Sequence, residues 1–355
     1  MHFYRITDCN NVCCNNNSFI SATLTKLLVS VLFFLSFQIN ATTSENQVEP
    51  QSTDYFLKQM RQSYSTLNYD LSYIQVYEGI IEPKRLSHGV LDGVEISYLS
   101  YLNGPPTEYV QRGKNVSFFE PDIEPYTLAT KLLQGTVFQI VNQDLTRLQK
   151  SYDFVQAGKS RVAGRPAQVI RMSPKDADRY GYLLWLDRHT SLPLRIDTLD
   201  QHGQLVEQMM AISLRLYNEA TPWIAELAAV ELPAVVKINP SASHDDSQWR
   251  LDWVPKGFEL VSSDRHSLPL TGDTVDYFML SDGVSVISVY VEPDTGNQNT
   301  PEPVARKGAT NLITINQKGK RITVVGDIPA ETGLRIARAI APELSPQTKG
   351  NLNGH

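Results

Sequence analysis

The spacing of apolar positions predicts a helix at the start of the folded part of the chain. Apolar residues recur there every three or four positions, at Phe56, Leu57, Met60, Tyr64 and Leu67. This is the spacing of one helix face. Ser52 or Thr53 stands just before the run and predicts its N-cap.

The period then changes to two, which is typical of strands. The first predicted strand carries Tyr69, Leu71, Tyr73, Gln75 and Tyr77 on one face. Residues 94–102 alternate in the same way, and Asp92-Gly93 before them is a two-residue hairpin signal. Strands joined by such short turns pair antiparallel, because parallel pairs need long crossovers.

The following segments predict one large, curved antiparallel sheet with helices against one face. Residues 121–150 lack period two, and we expect one or two short helices there. Further strands are predicted at 151–157, 161–172, 180–187, 192–200 and 204–216, with a turn at Gly158. Several of these strands are apolar on both faces, which indicates that they are covered on both sides.

Length and composition predict two domains, since 355 residues exceed the size of one ordinary domain. The first domain is expected at 50–220 and the second at 248–342. Pro222, Pro233 and Pro240 indicate a linker over 221–247. The second domain is predicted to be rich in strands, at 258–266, 273–280, 284–291, 311–316 and 320–326, with a closing helix at 331–340 and a polar tail at 343–355.

Residues 1–41 are expected to be a signal peptide rather than part of the fold. Lys26 precedes an apolar stretch at 27–37, which is too short to span a bilayer, and Ala41 offers a cleavage site. A short membrane anchor is the alternative. All cysteines lie before Lys26. The mature chain is therefore expected to be exported and soluble, with no disulfide.

The sequence carries little sign of catalysis or of nucleic-acid binding. The formal net charge is −6, and no basic run is present. The histidines are scattered, and no nucleophile elbow or phosphate-binding glycine loop occurs, so we expect no metal, no cofactor and no enzyme activity. Asp176, Asp178 and Asp187 could form a catalytic pair, but we interpret them as turn and surface residues beside Arg179 and Arg188.

Aromatic residues give the one candidate site. The apolar face formed by Tyr69, Leu71, Tyr73, Tyr77 and Phe118 could line a cavity for an acyl chain or an apolar peptide. An ordinary aromatic core is the alternative explanation of the same residues.

Specific runs of residues resemble the RseB/MucB family. These runs are 161–170, 174–187, 190–194 and 204–208 in the first domain, and 249–258 and 323–329 in the second. The runs include Arg179-Tyr180-Gly181-Tyr182 and Trp249-Arg250-Leu251-Asp252-Trp253. The resemblance covers roughly residues 50–342 and therefore both domains.

The resemblance implies an α+β fold that is mostly antiparallel β. It implies a large N-terminal half-barrel similar to the periplasmic lipoprotein carriers (LolA/LolB-like) and a smaller β-rich C-terminal domain. It further implies a periplasmic protein that binds the periplasmic domain of a membrane-spanning anti-sigma factor and protects it from a site-1 protease. Lipopolysaccharide or lipoprotein lipid would release the partner. A lipid or lipoprotein carrier is the alternative function, and a homo-oligomer is left open.

Overall fold

The computed structural model describes residues 52–130, 139–236, 249–267, 274–294 and 304–342. The expected signal peptide at 1–41, the tail at 343–355 and residues 237–247 of the expected linker lie outside these ranges. In the described part of the chain, no helix is long and apolar enough to cross a membrane.

Helix α1, Thr53–Thr66, has the predicted cap and the predicted buried face. The Ser52 hydroxyl accepts a hydrogen bond from the Tyr55 backbone N–H at 3.2 Å, which satisfies one of the free donors of the first turn. The buried residues are Phe56, Leu57, Met60, Ser63 and Tyr64. The helix is therefore amphipathic and buries its apolar face against the sheet.

Within the described ranges, eleven antiparallel strands form one sheet in the order β6-β5-β4-β3-β2-β1-β11-β10-β9-β8-β7. Their bounds are β1 Asn68–Tyr77, β2 Ile80–Leu91, β3 Val94–Tyr101, β4 Glu108–Arg112, β5 Asn115–Phe119, β6 Tyr126–Leu128, β7 Tyr152–Val162, β8 Arg165–Pro174, β9 Gly181–Asp187, β10 Pro193–Leu199 and β11 Leu205–Tyr217. The predicted hairpin at Asp92-Gly93 joins β2 to β3, and both residues have positive φ.

The sheet curves around α1. This helix contacts both β2 and β7, although five strands separate the two in the sheet order. In a flat sheet, six spacings of about 4.8 Å would place β2 and β7 roughly 29 Å apart. A single helix can reach both strands only if the sheet wraps around it, so the expectation of a curved sheet is confirmed.

Two strand predictions differ from the structure. Strand β2 was not predicted, because it contains Pro83 and Gly89 and lacks a clear alternation of apolar residues. Residues 152–162 form one strand rather than two. Gly158, with φ +122°, lies at a bulge where the register with β8 shifts, and the turn falls at Ala163-Gly164 instead.

The first part of the expected linker is a packed helix, which corrects the prediction for residues 222–229. Helix α3, Pro222–Ala229, is capped by Thr221 and buries Ile224 and Leu227. A Cβ on Gly89 of β2 would lie 3.1 Å from Ile224. Glycine in β2 thus gives the helix room to approach the outer face of the sheet.

The segment between the two halves of the large sheet contains helix α2, Leu145–Ser151, and a 3-10 turn at Ile140–Asn142. Short helices were predicted over 121–150 and are confirmed at 140–151, whereas Tyr126–Leu128 forms strand β6, which was not predicted. Asp144 caps α2 through the Thr146 backbone N–H at 2.8 Å. Residues 131–138 lie outside the described ranges.

A second antiparallel sheet of six strands has the order β13-β14-β15-β18-β17-β16. The bounds are β13 Glu259–Ser267, β14 Thr274–Ser281, β15 Val286–Pro293, β16 Val304–Lys307, β17 Thr310–Gln317 and β18 Lys320–Gly326. Helix α4, Ala330–Arg338, packs against β17 and β18, while β12, Trp249–Leu251, pairs with β19, Ile340–Pro342. The predicted strands are confirmed, whereas β12, β16 and β19 are too short for a sequence period to show.

Candidate interaction site

Two turns of the small sheet are buried in the core of the large sheet. Val284 follows β14 and Ala309 precedes β17, and both are completely buried. Both belong to the apolar cluster that contains α1 and the concave face of the large sheet. We call the region where these two turns meet the large sheet the junction.

Arg179 is the centre of the first contact of the junction. It lies in the turn between β8 and β9, and its side chain is fully buried. The guanidinium donates to Asp176 at 3.0 Å and to Asp282 of the small sheet at 2.6 Å. It also donates to the backbone carbonyl of Lys256, and it lies 5.1 Å from the centroid of the Phe258 ring.

Asp282 holds its own turn as well as Arg179. One carboxylate oxygen accepts from the backbone N–H groups of Val284 at 2.9 Å and Ser285 at 2.8 Å. The other oxygen receives Arg179. The predicted hairpin signal Asp282-Gly283 is therefore a structural link between the two sheets, since the aspartate that shapes the turn also anchors the buried arginine.

The charge of Arg179 is maintained in spite of its burial. Burial alone lowers the pKa of a guanidinium, but the hydrogen bond to Asp176 and the charge of Asp282 outweigh it and raise the pKa above its usual value. Burial also raises the pKa of the neighbouring Tyr152 well above its ordinary value. Tyr152 is thus a neutral phenol, and the contact consists of one cation and its two carboxylates.

Glu207 on β11 is the centre of the second contact. Its carboxylate accepts the backbone N–H of Ala309 at 2.9 Å and the side-chain N–H of Gln75. Gly308 has φ +59°, and a Cβ there would lie 2.5 Å from a Glu207 oxygen. Lys307 lies 3.6 Å from Glu82 of β2. A side chain at position 308 would therefore displace the Glu207 carboxylate that accepts the Ala309 N–H.

Ion pairs and hydrogen bonds around α4 form a third contact. Arg335 of α4 lies 2.7 Å from Asp178 and stacks 3.9 Å from the Trp253 ring centroid. Asn311 of β17 donates to the Tyr180 hydroxyl at 2.9 Å. Residues 176–180, between β8 and β9, thus contact the small sheet at several points.

Two clefts border the junction: one lies between the two sheets, and the other lies between helix α2 and the small sheet. One, of about 190 Å³, is lined among others by Asp200, His202, Arg306 and Glu331. The other, of about 410 Å³, is lined among others by Asp144, Arg147, Lys150 and Glu259. We call them the junction clefts. Charges of both signs line both clefts, which suits the recognition of a protein segment by ion pairs and hydrogen bonds.

Glu207 makes the junction sensitive to pH. Burial is the main cause that raises its pKa above 4.5, and it outweighs the hydrogen bonds from Ala309 and Gln75. The nearby charges are Asp327, which also raises the pKa, and Lys84, which lowers it. A carboxyl group whose pKa is higher in the folded state stabilises that state at low pH, and its contribution falls as the pH rises through the raised value.

We therefore expect Glu207→Gln to change the pH profile of stability. The free energy of unfolding of the variant minus that of the unchanged chain should increase from pH 5 to pH 8. Only the unchanged chain has a carboxyl group at position 207, and its ionisation destabilises the folded state over that interval. Urea unfolding of both proteins at each pH measures this difference, and titrations shared by the two chains cancel. A difference that stays constant with pH would show that Glu207 is not the group concerned.

The structure places the five predicted cavity residues in two different environments. Tyr69, Leu71, Tyr73 and Phe118 are buried in the core that α1 covers, and Tyr69 donates to the backbone carbonyl of Tyr64 at 3.3 Å. Tyr77 is buried at the junction instead, where its hydroxyl donates to Glu82 at 2.5 Å. A role for these residues as the wall of a cavity stays a prediction.

The three carboxylates considered for catalysis are all engaged in ion pairs. Asp176 binds Arg179, and Asp178 binds Arg335. The interpretation of Asp187 as a surface residue beside Arg188 is wrong. Asp187 is fully buried, pairs with Arg165 at 2.5 Å and accepts the backbone N–H groups of the turn that follows β9. In the described part of the chain, no cluster of His, Cys, Asp or Glu could hold a metal ion.

Sequence reasoning missed the junction. It treated Arg179 as the neighbour of surface carboxylates and Asp282-Gly283 as an ordinary hairpin turn, and it did not single out Glu207 and Ala309. The only signal was indirect, since Arg179-Tyr180-Gly181-Tyr182 and 204–208 were among the runs that carried the family resemblance. Both runs lie in or next to the contacts with the small sheet.

Comparison with known families and proteins gives matches along both sheets. The MucB/RseB N-terminal domain family matches residues 52–236, and the MucB/RseB C-terminal domain family matches residues 243–341. The sigma-E factor regulatory protein RseB of Salmonella typhimurium is 34% identical over 298 residues, which are 84% of this chain and 93% of that protein. The sigma factor AlgU regulatory protein MucB of Pseudomonas aeruginosa is 34% identical over 227 residues, or 62% of this chain and 70% of that protein.

Two solved structures have the same fold over most of their length. A crystal structure of MucB in complex with MucA(peri) aligns with a TM-score of 0.65 at 27% identity, covering 83% of this chain and 100% of that one. The complex structure of Pseudomonas aeruginosa MucA/MucB aligns with a TM-score of 0.67 at 27% identity, covering 82% of this chain and 98% of that one. Both are structures of a two-protein complex.

Proposed function

This chain belongs to the MucB/RseB family, and from that premise we propose that it restrains an envelope-stress sigma factor by binding the periplasmic domain of a membrane-spanning anti-sigma factor. One observation carries the proposal: the chain covers the full length of a MucB that was solved in complex with MucA(peri). The curated relatives are named regulatory proteins, which supports a role without catalysis.

We place the partner at the junction clefts. A specific protein interface buries about 800 Å² on each partner, which is more than one turn or one strand offers. One cleft is formed by both sheets and the other by α2 and the small sheet, and Asp200, Arg306 and Glu331 provide charged groups for recognition in the first. A partner seated there would contact both sheets together, so its affinity would depend on the docked arrangement of the junction.

The same binding would protect the partner from cleavage. Proteases cleave exposed segments of their substrates, and a segment held in a cleft is not available to a site-1 protease. The expected signal peptide at 1–41 would deliver the chain to the periplasm, where the partner's domain lies. Protection and location together explain how a binding protein without an active site restrains a signalling pathway.

We propose that an amphiphile, such as lipopolysaccharide or lipoprotein lipid, releases the partner. The concave face of the large sheet is apolar, and α1 covers Tyr69 and Tyr73 there. An acyl chain that enters this region must displace side chains of α1, and Ala309 belongs to the same core. If the amphiphile and the partner favour different arrangements of the protein, each lowers the affinity for the other by the same factor, because coupling between two sites is reciprocal.

The alternative, a lipid or lipoprotein carrier, accounts for less of the molecule. A carrier needs only the large sheet and its helices. The second sheet is joined to the first by a buried ion pair between Arg179 and Asp282, and such a pair stabilises the protein only when its geometry is excellent. A buried ion pair of this geometry between the sheets indicates that the second sheet functions together with the first.

Recovery of partners from the envelope distinguishes the two functions. Tagged mature chain, from residue 42, should recover a single-pass membrane protein in a 1:1 ratio from a detergent extract of its host. The identity of that protein as an anti-sigma factor can be checked by mass spectrometry. Recovery of lipoproteins in its place would support the carrier and contradict the proposed regulator.

A further inference from the structure

Strand β7, Tyr152–Val162, is the last strand of the large sheet and, in the described ranges, pairs only with β8. The seven residues of this strand from 155 to 161 are all exposed, and Val155 is 60% exposed. Side chains of a strand alternate between its two faces. This part of β7 is therefore uncovered on both faces and is held by its ladder to β8 and by the Ala163-Gly164 turn.

The open edge of β7 presents backbone groups that are ready to pair. Arg161 lies opposite Pro166, and the carbonyl of Pro166 accepts the backbone N–H of Arg188, beyond β9, at 3.0 Å. Pro166 thus turns its backbone away from β7, so the pair of Arg161 and Pro166 is not hydrogen-bonded. The N–H and C=O of Arg161 face outward, and by alternation so do those of Lys159.

The charge at this edge is opposite to that of the whole chain. Strands β7 and β8 carry four cationic residues, Lys159, Arg161, Arg165 and Arg171, against one acidic residue, Asp153, whereas the whole chain has a net charge of −6. Arg165 is neutralised by Asp187. Among the described residues, Lys159 and Arg161 form no ion pair. They lie opposite Gln168 and Pro166 of β8, whereas Val155 lies opposite Arg171 and therefore on the other face.

We propose that β7 is a docking edge for an extended acidic segment of a partner protein, which adds to the large sheet as a twelfth strand. Main-chain hydrogen bonds to the edge provide affinity in such strand addition, and side chains on alternate positions provide specificity. Lys159 and Arg161 would pair with carboxylates on one face of the segment, and Val155 would contact an apolar side chain on the other face. A second copy of this chain is disfavoured, because pairing of two β7 strands would bring like charges together.

This surface is separate from the junction clefts, and the inference does not depend on the identity of the partner proposed above. The charged residues of β7 and the bulge at Gly158 also hinder edge-to-edge aggregation, because charges and bulges on an edge strand disfavour pairing with another sheet. They restrict pairing to a segment of the opposite charge.

Labelled nine-residue peptides test the proposal on the full mature chain. One peptide alternates Glu with Val, and the other alternates Lys with Val. Fluorescence anisotropy at low ionic strength should show that the acidic peptide binds at least about tenfold more tightly than the basic one. Added salt should weaken this binding, because the charged groups are exposed.

Two substitutions at one position separate the backbone from the charge. Lys159→Ala removes the cation and keeps the N–H, while Lys159→Pro removes both and spares the ladder to β8. Lys159→Pro should lose at least about tenfold more affinity for the acidic peptide than Lys159→Ala. Should Lys159→Pro not fold, the double variant Lys159→Glu/Arg161→Glu must instead prefer the basic peptide.

Three results would overturn the docking edge. The first is equal binding of the two peptides, and the second is equal affinity of Lys159→Pro and Lys159→Ala for the acidic peptide. The third is a concentration-dependent dimer in sedimentation that Lys159→Pro abolishes, because β7 would then serve a second copy of the chain.

Discussion

Arg179→Met should lower the free energy of unfolding by about 3–5 kcal/mol. The substitution leaves Asp282 buried without its cation, and it also removes the donor to the Lys256 carbonyl. Loss of one partner of a buried ion pair costs far more than the net contribution of the pair, since the remaining charge is unsolvated. Urea unfolding measures the effect, and affinity for the partner should fall in the same variant because the small sheet loses an anchor.

Two control variants show whether burial is the reason. Arg250→Met breaks an exposed pair with Asp252, in which both side chains are at least 39% exposed, and should cost less than about 1 kcal/mol. The double variant Arg179→Met/Asp282→Leu removes both buried charges and should recover part of the lost stability. A cost for Arg179→Met no larger than for Arg250→Met would contradict the assigned role of Arg179.

Gly308→Ala should loosen the turn before β17 from the large sheet. The added Cβ would lie 2.5 Å from a Glu207 oxygen and 3.5 Å from Tyr77, so Glu207 must move and release the Ala309 N–H. We expect faster hydrogen exchange at Ala309 and a stability loss of about 2–3 kcal/mol, from a strained backbone together with a lost hydrogen bond.

Gly319→Ala is the matched control for this substitution. Gly319 lies in the turn between β17 and β18 with φ +70°, close to the +59° of Gly308, but nothing lies within 4 Å of its Cβ position. Both substitutions place a Cβ on a residue with left-handed backbone, which costs about 1–2 kcal/mol of stability. Only Gly308→Ala should also affect hydrogen exchange at Ala309 and affinity for the partner. Equal effects of the two variants on Ala309 exchange would show that the contact with Glu207 does not hold the turn.

Elements governed by near neighbours were predictable from the sequence. The cap at Ser52, the face of α1 and the Asp92-Gly93 hairpin each depend on residues within a few positions of one another. The resemblance of the runs at 161–170 and 249–258 indicated the family, and the comparisons confirm it.

The junction could not be predicted, because it joins residues that are distant in sequence. Arg179 and Asp282 are 103 positions apart, and Glu207 and Ala309 are 102 positions apart. The sequence around a buried arginine does not differ from that around an exposed one, and only the fold determines which carboxylate it binds. Helix α3 was missed for a related reason, since its two buried residues are too few to show a period.

Calorimetric titration of the mature chain with the purified periplasmic domain of its host's anti-sigma factor tests the central claim most directly. We predict a 1:1 complex with a dissociation constant of about 1 μM or tighter, the range of a standard-size interface, and at least about tenfold weaker binding by Arg179→Met. Absence of binding by the folded, unchanged chain, or equal affinity of the two proteins, would contradict a regulator that binds its partner across the junction.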